Sequence, residues 1–294
     1  MADYSIYVLE YAAVPEYHVS GVIYGAHNQG YLKLPYAYAL IKGNGHVALM
    51  DVGYNHKDYG KHLADKFGVR NWHSPKDVLA EVDVKPEDVD SVFITHAHFD
   101  HFGSVEDFPN ATFYIQEREI EKWVWAMSLP ERMRFMMTAV DPGDILRGVN
   151  LAREGRLVTV DGALENVLPG IDLHVAYDSH TFASMWVTVR NDGVTDSQDP
   201  WVLAGDLIYV YENIEGDGSA VDAEHIYLPV GLATGSQTNL VLATEEIMRQ
   251  AGYEKRRVIP VHEERLKDEF PSRITGNDLR VSEICVGDTE KGYV

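Results

Sequence analysis

A single cysteine, Cys285, stands among the 294 residues. That excludes an internal disulfide and a cysteine-rich zinc site. No motif surrounds Cys285, so it reads as a buried apolar residue late in the chain rather than a nucleophile. Apolar runs of the roughly 20 residues needed to span a bilayer are also missing. The first ten residues carry Asp3 and Glu10 without a basic cluster, and so lack the marks of a secretory signal. Cations are scarce: 25 Lys and Arg against 46 Asp and Glu leave a formal charge of −21. Such a surface repels nucleic-acid phosphate and anionic lipid. It still admits an anionic small substrate, because bound cations can dominate a local site. The expectation is a cytoplasmic protein with neither nucleic-acid nor membrane partners. Repeats, low-complexity tracts and long Pro/Gly/Ser linkers are absent as well.

What remains is a folding composition, 45% hydrophobic, enough to bury a large core. Apolar runs at 36–41 and 46–51 flank Lys42-Gly43-Asn44-Gly45, a hairpin signal. Residues 57–68 read as a helix stopped by Gly68, and 74–84 as a helix opened by Ser74-Pro75. Strands are expected at 91–95, 111–115, 157–160, 171–177, 184–190, 201–204 and 257–261. Residues 116–139 read as mostly helical with a break at Pro130, and 238–251 as a helix ending at Gly252. Strands with interspersed helices in both halves indicate two sheets with helices outside, in one α/β domain over residues 1–294.

The chemistry concentrates in Thr95-His96-Ala97-His98-Phe99-Asp100-His101. Alternate side chains of an extended segment share a face, so His96 and His98 can address one ion. Asp100 and His101 follow where Phe102-Gly103 starts a turn, which can aim them at a second ion. A buried strand feeds the cluster, the usual position of a site in an α/β fold. Three histidines and an aspartate within six residues are a strong metal signal.

This His-x-His-x-Asp-His string resembles the metallo-β-lactamase superfamily. The resemblance implies an αββα sandwich with metals at one edge between the sheets, and further ligands downstream. His180, in Asp178-Ser179-His180-Thr181, fits the first, although the family usually has Gly before it and Pro-Gly after the Thr, where Phe182-Ala183 stand here. The nearby His174, inside a strand, reads as a packed core residue. Asp206, in Ala204-Gly205-Asp206, fits the bridging carboxylate, and His262, after Val258-Ile259-Pro260-Val261, fits the last histidine. The implied assignment is His96, His98 and His180 on one metal, Asp100, His101 and His262 on the other, and Asp206 between them. Two divalent ions are implied, with zinc suited to the donors and iron, manganese or cobalt left open. Asp51, in Leu49-Met50-Asp51-Val52-Gly53, matches a signature whose implied role is to support the metal loop. The other eight histidines carry no motif.

Two such cations would supply Lewis acidity at a carbonyl and water acidified for attack on an acyl carbon. Asp100 can ligate and also shuttle a proton to the leaving group. True β-lactamases of the superfamily usually carry Cys or Ser where Asp206 stands, and the flavodiiron branch Glu where His98 stands. RNA-processing members need a basic surface. The stretch from Asp206 through Tyr209 to Glu212-Asn213 instead resembles the quorum-quenching N-acyl homoserine lactonases, as does the region around Pro35-Tyr36. By that resemblance Tyr209 hydrogen-bonds the substrate carbonyl or the developing alkoxide, the substrate is a lactone, and a homodimer is implied. The alternatives are a glyoxalase-type thioesterase, a cyclic amide or imide hydrolase, and a catalytically silent scaffold. Residues 119–150 crowd Trp123, Trp125, Met127, Met133, Phe135, Met136 and Met137 together. They suit a pocket wall or lid, the core of a helical hairpin, or a dimer contact.

Overall fold

A computed structural model describes residues 4–216, 226–288 and 290–294. His225, one of the histidines without a motif, lies outside the described residues, as do the first three positions of the N-terminal stretch. Thirteen strands are described: β1 (Tyr4–His18), β2 (Tyr31–Gly43), β3 (His46–Met50), β4 (Ser91–Phe93), β5 (Thr112–Gln116), β6 (Leu157–Val160), β7 (Leu164–Leu168), β8 (Ile171–Tyr177), β9 (Ala183–Arg190), β10 (Pro200–Leu203), β11 (Val258–Ile259), β12 (Ser272–Ile274) and β13 (Arg280–Cys285). They form two sheets, ordered β12-β13-β1-β2-β3-β4-β5-β6 and β11-β10-β9-β8-β7.

The periodicity of the sequence explains the arrangement. β1 is buried over its first eleven residues and β9 along its whole length, as strands covered on both faces must be. Helices close the outside: Pro75–Ala80 packs on β1, Glu117–Met127 on β5 and β9, and Gln237–Gln250 on β8 and β10. This is the αββα sandwich that the resemblance implies. Two helix boundaries follow the sequence signals closely. Ser74 accepts the Asp77 amide as an N-cap, and Gly68 takes the left-handed conformation (φ 77°) that ends Asp58–Phe67.

Other boundaries differ. The strand expected at 257–261 pairs only at Val258–Ile259, because Pro260 has no amide to continue the ladder and a turn follows at once. A helix at Pro142–Arg153, capped by Asp141 onto the Gly143 amide, went unread although Asp141-Pro142 repeats the Ser74-Pro75 signal. Cys285 is half-buried at the end of β13 rather than enclosed, and burial pushes its thiol up to about 12, which leaves it inert. Among the described residues, no helix is long and apolar enough to cross a membrane.

The ends of β3, β4, β8, β10 and β11 converge at one edge between the sheets. Thr95 joins the two layers there. Its carbonyl accepts the Met185 amide of β9 at 2.7 Å, and its side chain lies against Gly205 after β10. Gly205 has φ 53°, and a Cβ there would sit 3.0 Å from Thr95 Cγ2. Backbone conformation and crowding both demand glycine. Gly205→Ala is therefore expected to cost about 1–3 kcal/mol, read as a fall in Tm.

His174 is packed, as the sequence suggests, but half-buried on β8 rather than enclosed in the core. Its ring stacks on Trp186, its register partner in β9, at 5.0 Å and 16°. Its Nε2 is buried without a hydrogen-bond partner. Burial lowers its pKa below the usual histidine value, outweighing the pull of Asp172 and Glu246. The unfolded chain therefore binds this proton at a higher pH than the folded one. The contribution is intact above the unfolded pKa near 6.5 and is lost as pH falls below it. His174→Phe should flatten the decline in Tm between pH 7.5 and pH 5, and a decline identical to the wild type would refute this account.

Candidate metal centre

The loop after β4 turns sharply. His98 ends the extended stretch, and Phe99–Phe102 make one helical turn that swings Asp100 and His101 back toward His96. Gly103 then passes so close to the Asn55 amide that a Cβ would lie 2.4 Å from it. The turn thus packs directly on the chain beyond β3, where Asp51 sits in the left-handed region at φ 66°. That conformation, tolerated by aspartate, directs the carboxylate under the loop. Asp51 accepts from the Thr95 amide (2.8 Å), the Thr95 hydroxyl (2.9 Å) and His101 Nδ1 (2.8 Å). The supporting role expected for Asp51 is therefore visible as three hydrogen bonds.

All seven residues singled out as ligands come together, as two groups. His96, His98, His180 and Asp206 present donor atoms within 4.8 Å of one another, and so do Asp100, His101 and His262. Asp206 joins the groups through separate oxygens. Its Oδ2 lies 3.6 Å from His96 Nε2 and 3.4 Å from His180 Nε2. Its Oδ1 lies 3.2 Å from His101 Nε2 and 3.1 Å from His262 Nε2. Asp100 Oδ2 is 3.5 Å from His101 Nε2 and 3.9 Å from His262 Nε2. His180 Nε2 also meets His98 Nδ1 at 3.1 Å.

Hydrogen bonds behind the rings fix which nitrogen faces inward. His262 Nδ1 lies 2.6 Å from the Pro35 carbonyl, which can only accept, so Nδ1 carries the proton. His101 Nδ1 donates likewise to Asp51. The Thr95 hydroxyl donates to Asp51 and so accepts from His96 Nδ1 at 2.9 Å. In its neutral form each of these imidazoles therefore turns an Nε2 lone pair toward an oxygen of Asp206. The Nε2 atoms of His96, His101 and His262 and both Asp206 oxygens are buried without a hydrogen-bond partner. Lone pairs facing a carboxylate repel unless something positive lies between them. Divalent cations satisfy every one of these atoms, and nitrogen with carboxylate oxygen is a donor set for such ions.

The electrostatics of the protein groups alone point the same way. Burial lowers the pKa of His96 and His98 well below the usual imidazole range, and neighbouring histidines add to the effect. Burial also opposes the charge on His101 and His262, but Asp206 and Asp100 outweigh it and raise both. Burial pushes Asp206 up, yet His101, His262 and His96 hold it well below the ordinary carboxylate range. Asp100 stays raised, chiefly by burial. Protons on His101 and His262 can thus neutralise the cluster, and cations compete with them for the same atoms.

Tyr209 lies over this cluster. Its ring stacks on His262 at 4.9 Å and 16° and meets His180 edge-on at 5.7 Å. Burial, then Asp206, raises its pKa well above 10, so the phenol remains a donor. Asn213 fixes the chain here by accepting the Tyr209 and Val210 amides at 2.9 and 3.0 Å, which gives the Glu212-Asn213 pair a physical reason. Tyr209, His98, Asp100 and Tyr36 border a small cavity. Through Tyr17, Phe67 and Leu232 that cavity adjoins a cleft of about 680 Å³, whose outer wall includes Tyr31, Lys66 and Asn28. The segment 119–150 divides: Trp123 is core, whereas Phe135 and Met136 border a second small cavity beside His98.

Sequence reasoning missed Glu119. Its carboxylate is fully buried and accepts four hydrogen bonds, from the Ala97 amide (3.1 Å), Trp123 Nε1 (2.7 Å), the Thr181 hydroxyl (2.6 Å) and the Ala183 amide (2.6 Å). It explains how the loop around His180 holds its shape without Pro-Gly. On the other side of that loop, the amides of Thr234, Gly235 and Ser236 donate to the carbonyls of His180, Ser179 and Asp178. Phe182, in the place of the proline, packs edge-on against Trp123 at 4.7 Å. A glutamate three residues beyond a strand end, in a mostly polar helical turn, gives no such signal in one sequence.

Comparison with known proteins adds relatives at two distances. A probable metallo-hydrolase of Mycobacterium tuberculosis (strain ATCC 25618 / H37Rv) is 28% identical over 145 residues, 47% of this chain. The match spans 43% of that relative's length. A crystal structure of a quorum-quenching N-acyl homoserine lactone lactonase superposes with a TM-score of 0.63 at 18% identity, over 91% of this chain and 95% of that one. An N-acyl homoserine lactone hydrolase, with N-hexanoyl-L-homoserine bound at its catalytic metal center, gives 0.63 at 17% identity, over 91% and 96%. At these identities the likeness is one of fold. The model of the metallo-beta-lactamase superfamily matches residues 34–262, well over half of the chain, and the protein belongs to that superfamily.

Proposed function

We propose that the protein is a metal-dependent hydrolase that opens a lactone, with His96, His98 and His180 holding one divalent ion, Asp100, His101 and His262 a second, and Asp206 shared between them. The observation that carries the metal reading is the ring of buried, partnerless Nε2 and carboxylate atoms facing one another. Zinc suits the donors. Two such ions supply Lewis acidity at a carbonyl oxygen and water acidified toward neutral pH.

The chain's own groups do the rest. Tyr209, kept protonated by burial and by Asp206, donates to the substrate carbonyl oxygen or to the alkoxide that leaves it. Asp100 borders the small cavity together with Tyr209 and is placed there to pass a proton to the ring oxygen. Water adds across the acyl C–O bond, the ring opens, and the product is a hydroxy acid that releases one proton near neutral pH. The cleft beside Tyr17 and Phe67 has room for an arm attached to the ring.

A thioesterase would use the same ligand set, but an anionic thiol carrier calls for basic contacts. Among the described residues that line the cleft, Lys66 is the sole Lys or Arg. The position of Tyr209 above Asp206 also favours the lactone.

Purified protein is expected to hold two divalent ions per chain and to release protons from at least one member of a broad lactone panel. Two bound ions with no lactone opened would remove the lactone reading. Fewer than about one ion per chain after purification without chelator would favour a silent scaffold. Tyr209→Phe should lower kcat on a lactone by roughly 10²-fold, the scale of one lost oxyanion donor, with ion content unchanged. On a thioester it should change little, and an equal loss on both substrates would argue against this role.

A further inference from the structure

We infer that Glu119 is a positioning residue for one of the two ions, setting the distance between the His96–His98 loop and His180 while leaving the other ion's ligands alone. This rests on the metal reading above.

Two loops supply the His96, His98 and His180 group, and they come from different sheets. Ala97 lies between His96 and His98, and Thr181 follows His180. Glu119 binds both. Its Oε2 accepts the Ala97 amide, and its Oε1 accepts the Thr181 hydroxyl and the Ala183 amide. The Trp123 indole, one helical turn on, donates to Oε2 at 2.7 Å and holds the carboxylate in place. Thr181 is itself tied to Ser184, whose Oγ accepts the Thr181 amide at 3.0 Å. Four donors around two oxygens leave the side chain no other conformation, so one rigid group sets the spacing of two ligand-bearing loops.

The second ion has its own supports. His101 leans on Asp51, His262 on the Pro35 carbonyl, and the Asp100 carbonyl accepts the Tyr11 hydroxyl at 2.7 Å. None of these hydrogen bonds involves Glu119. His180 has the greater need of an outside brace, because its Nδ1 is buried without a hydrogen-bond partner. Glu119 touches only the loops of the first group, whereas Asp51 serves His101 and, through Thr95, His96, so it is the removal of Glu119 that should act on one half.

Glu119→Gln keeps the shape of the side chain but replaces an acceptor with an amide NH2. Ala97, Ala183 and Trp123 can only donate, so at least one N–H faces a donor whichever way the amide turns. Each variant would be loaded with zinc and dialysed against graded chelator, with metal per chain measured at each step. Tm of the ion-free protein would report folding. The wild type should lose its two ions at chelator levels that define two midpoints. Glu119→Gln should release one ion at roughly 10–100-fold lower chelator, the range typical of lost outer supports, while the other midpoint stays put. Thr181→Val, which removes one of the four donors, should shift the same midpoint in the same direction by less. Trp123→Phe keeps the three hydrogen bonds from the loops but removes the indole that steadies the carboxylate, so it should shift the same midpoint by less than Glu119→Gln.

Unchanged retention in Glu119→Gln, or an equal weakening of both ions, would overturn the inference. So would a Trp123→Phe shift as large as that of Glu119→Gln. If Glu119→Gln does not fold, Thr181→Val decides alone, and wild-type midpoints in it reject the proposal. A wild type that holds fewer than about one ion removes the metal reading and this inference together. Two ions in both proteins, with equal midpoints, rejects only the role of Glu119.

Discussion

The buried carboxylate of Asp206 organises this protein's interior. A carboxylate without water costs several kcal/mol unless its oxygens are matched by positive charge or donors. Here each oxygen faces two imidazoles, Oδ2 toward His96 and His180 and Oδ1 toward His101 and His262. The coulombic pull of those rings exceeds the cost of burial, which is why Asp206 stays ionised where Asp100, more weakly surrounded, is raised. The remaining contacts near the edge fix those rings. Asp51 orients His101 and, through Thr95, His96, and the Pro35 carbonyl orients His262. The conformation of Asp51, the close approach at Gly103 and the crowding at Gly205 are local costs of bringing them there.

How much of this could be read in advance depended on the range of the interaction. The stretch from Thr95 to His101 was legible because its ligands are local and their spacing carries the geometry. Asp206 and His262 were legible through the family resemblance, which places such ligands after strand ends; in isolation neither stands out. Asp51 was legible by signature, and the structure supplies the cause as bonds to Thr95 and His101. His180 was legible in position but not in setting. Its loop departs from the family pattern because Phe182 packs into the Trp123 side of the helix and Glu119 takes over the bracing.

Glu119 itself was out of reach. Its partners at Thr181 and Ala183 lie more than sixty residues away, and neither has a side chain or spacing that announces them. The same holds for Pro35, which acts through a backbone carbonyl. For the fold, strands buried on both faces such as β9 stood out by composition. The short β11 did not, because Pro260 ends its pairing before the apolar run ends. The Pro142–Arg153 helix was readable and passed over, as its N-cap follows the same rule as Ser74-Pro75.

The loop after β4 belongs to the larger sheet, whereas His180, Asp206 and His262 follow strands of the smaller one. The cleft walls come from elsewhere again: residues 16–31 after the buried part of β1, Lys66 and Phe67 at the end of a helix, Thr138, and the stretch at 231–232. The candidate metal centre and the cleft beside it are thus built from separate pieces of chain. On the proposed function, residues of the cleft wall can be exchanged to fit a different guest while the ligand cluster stays as it is.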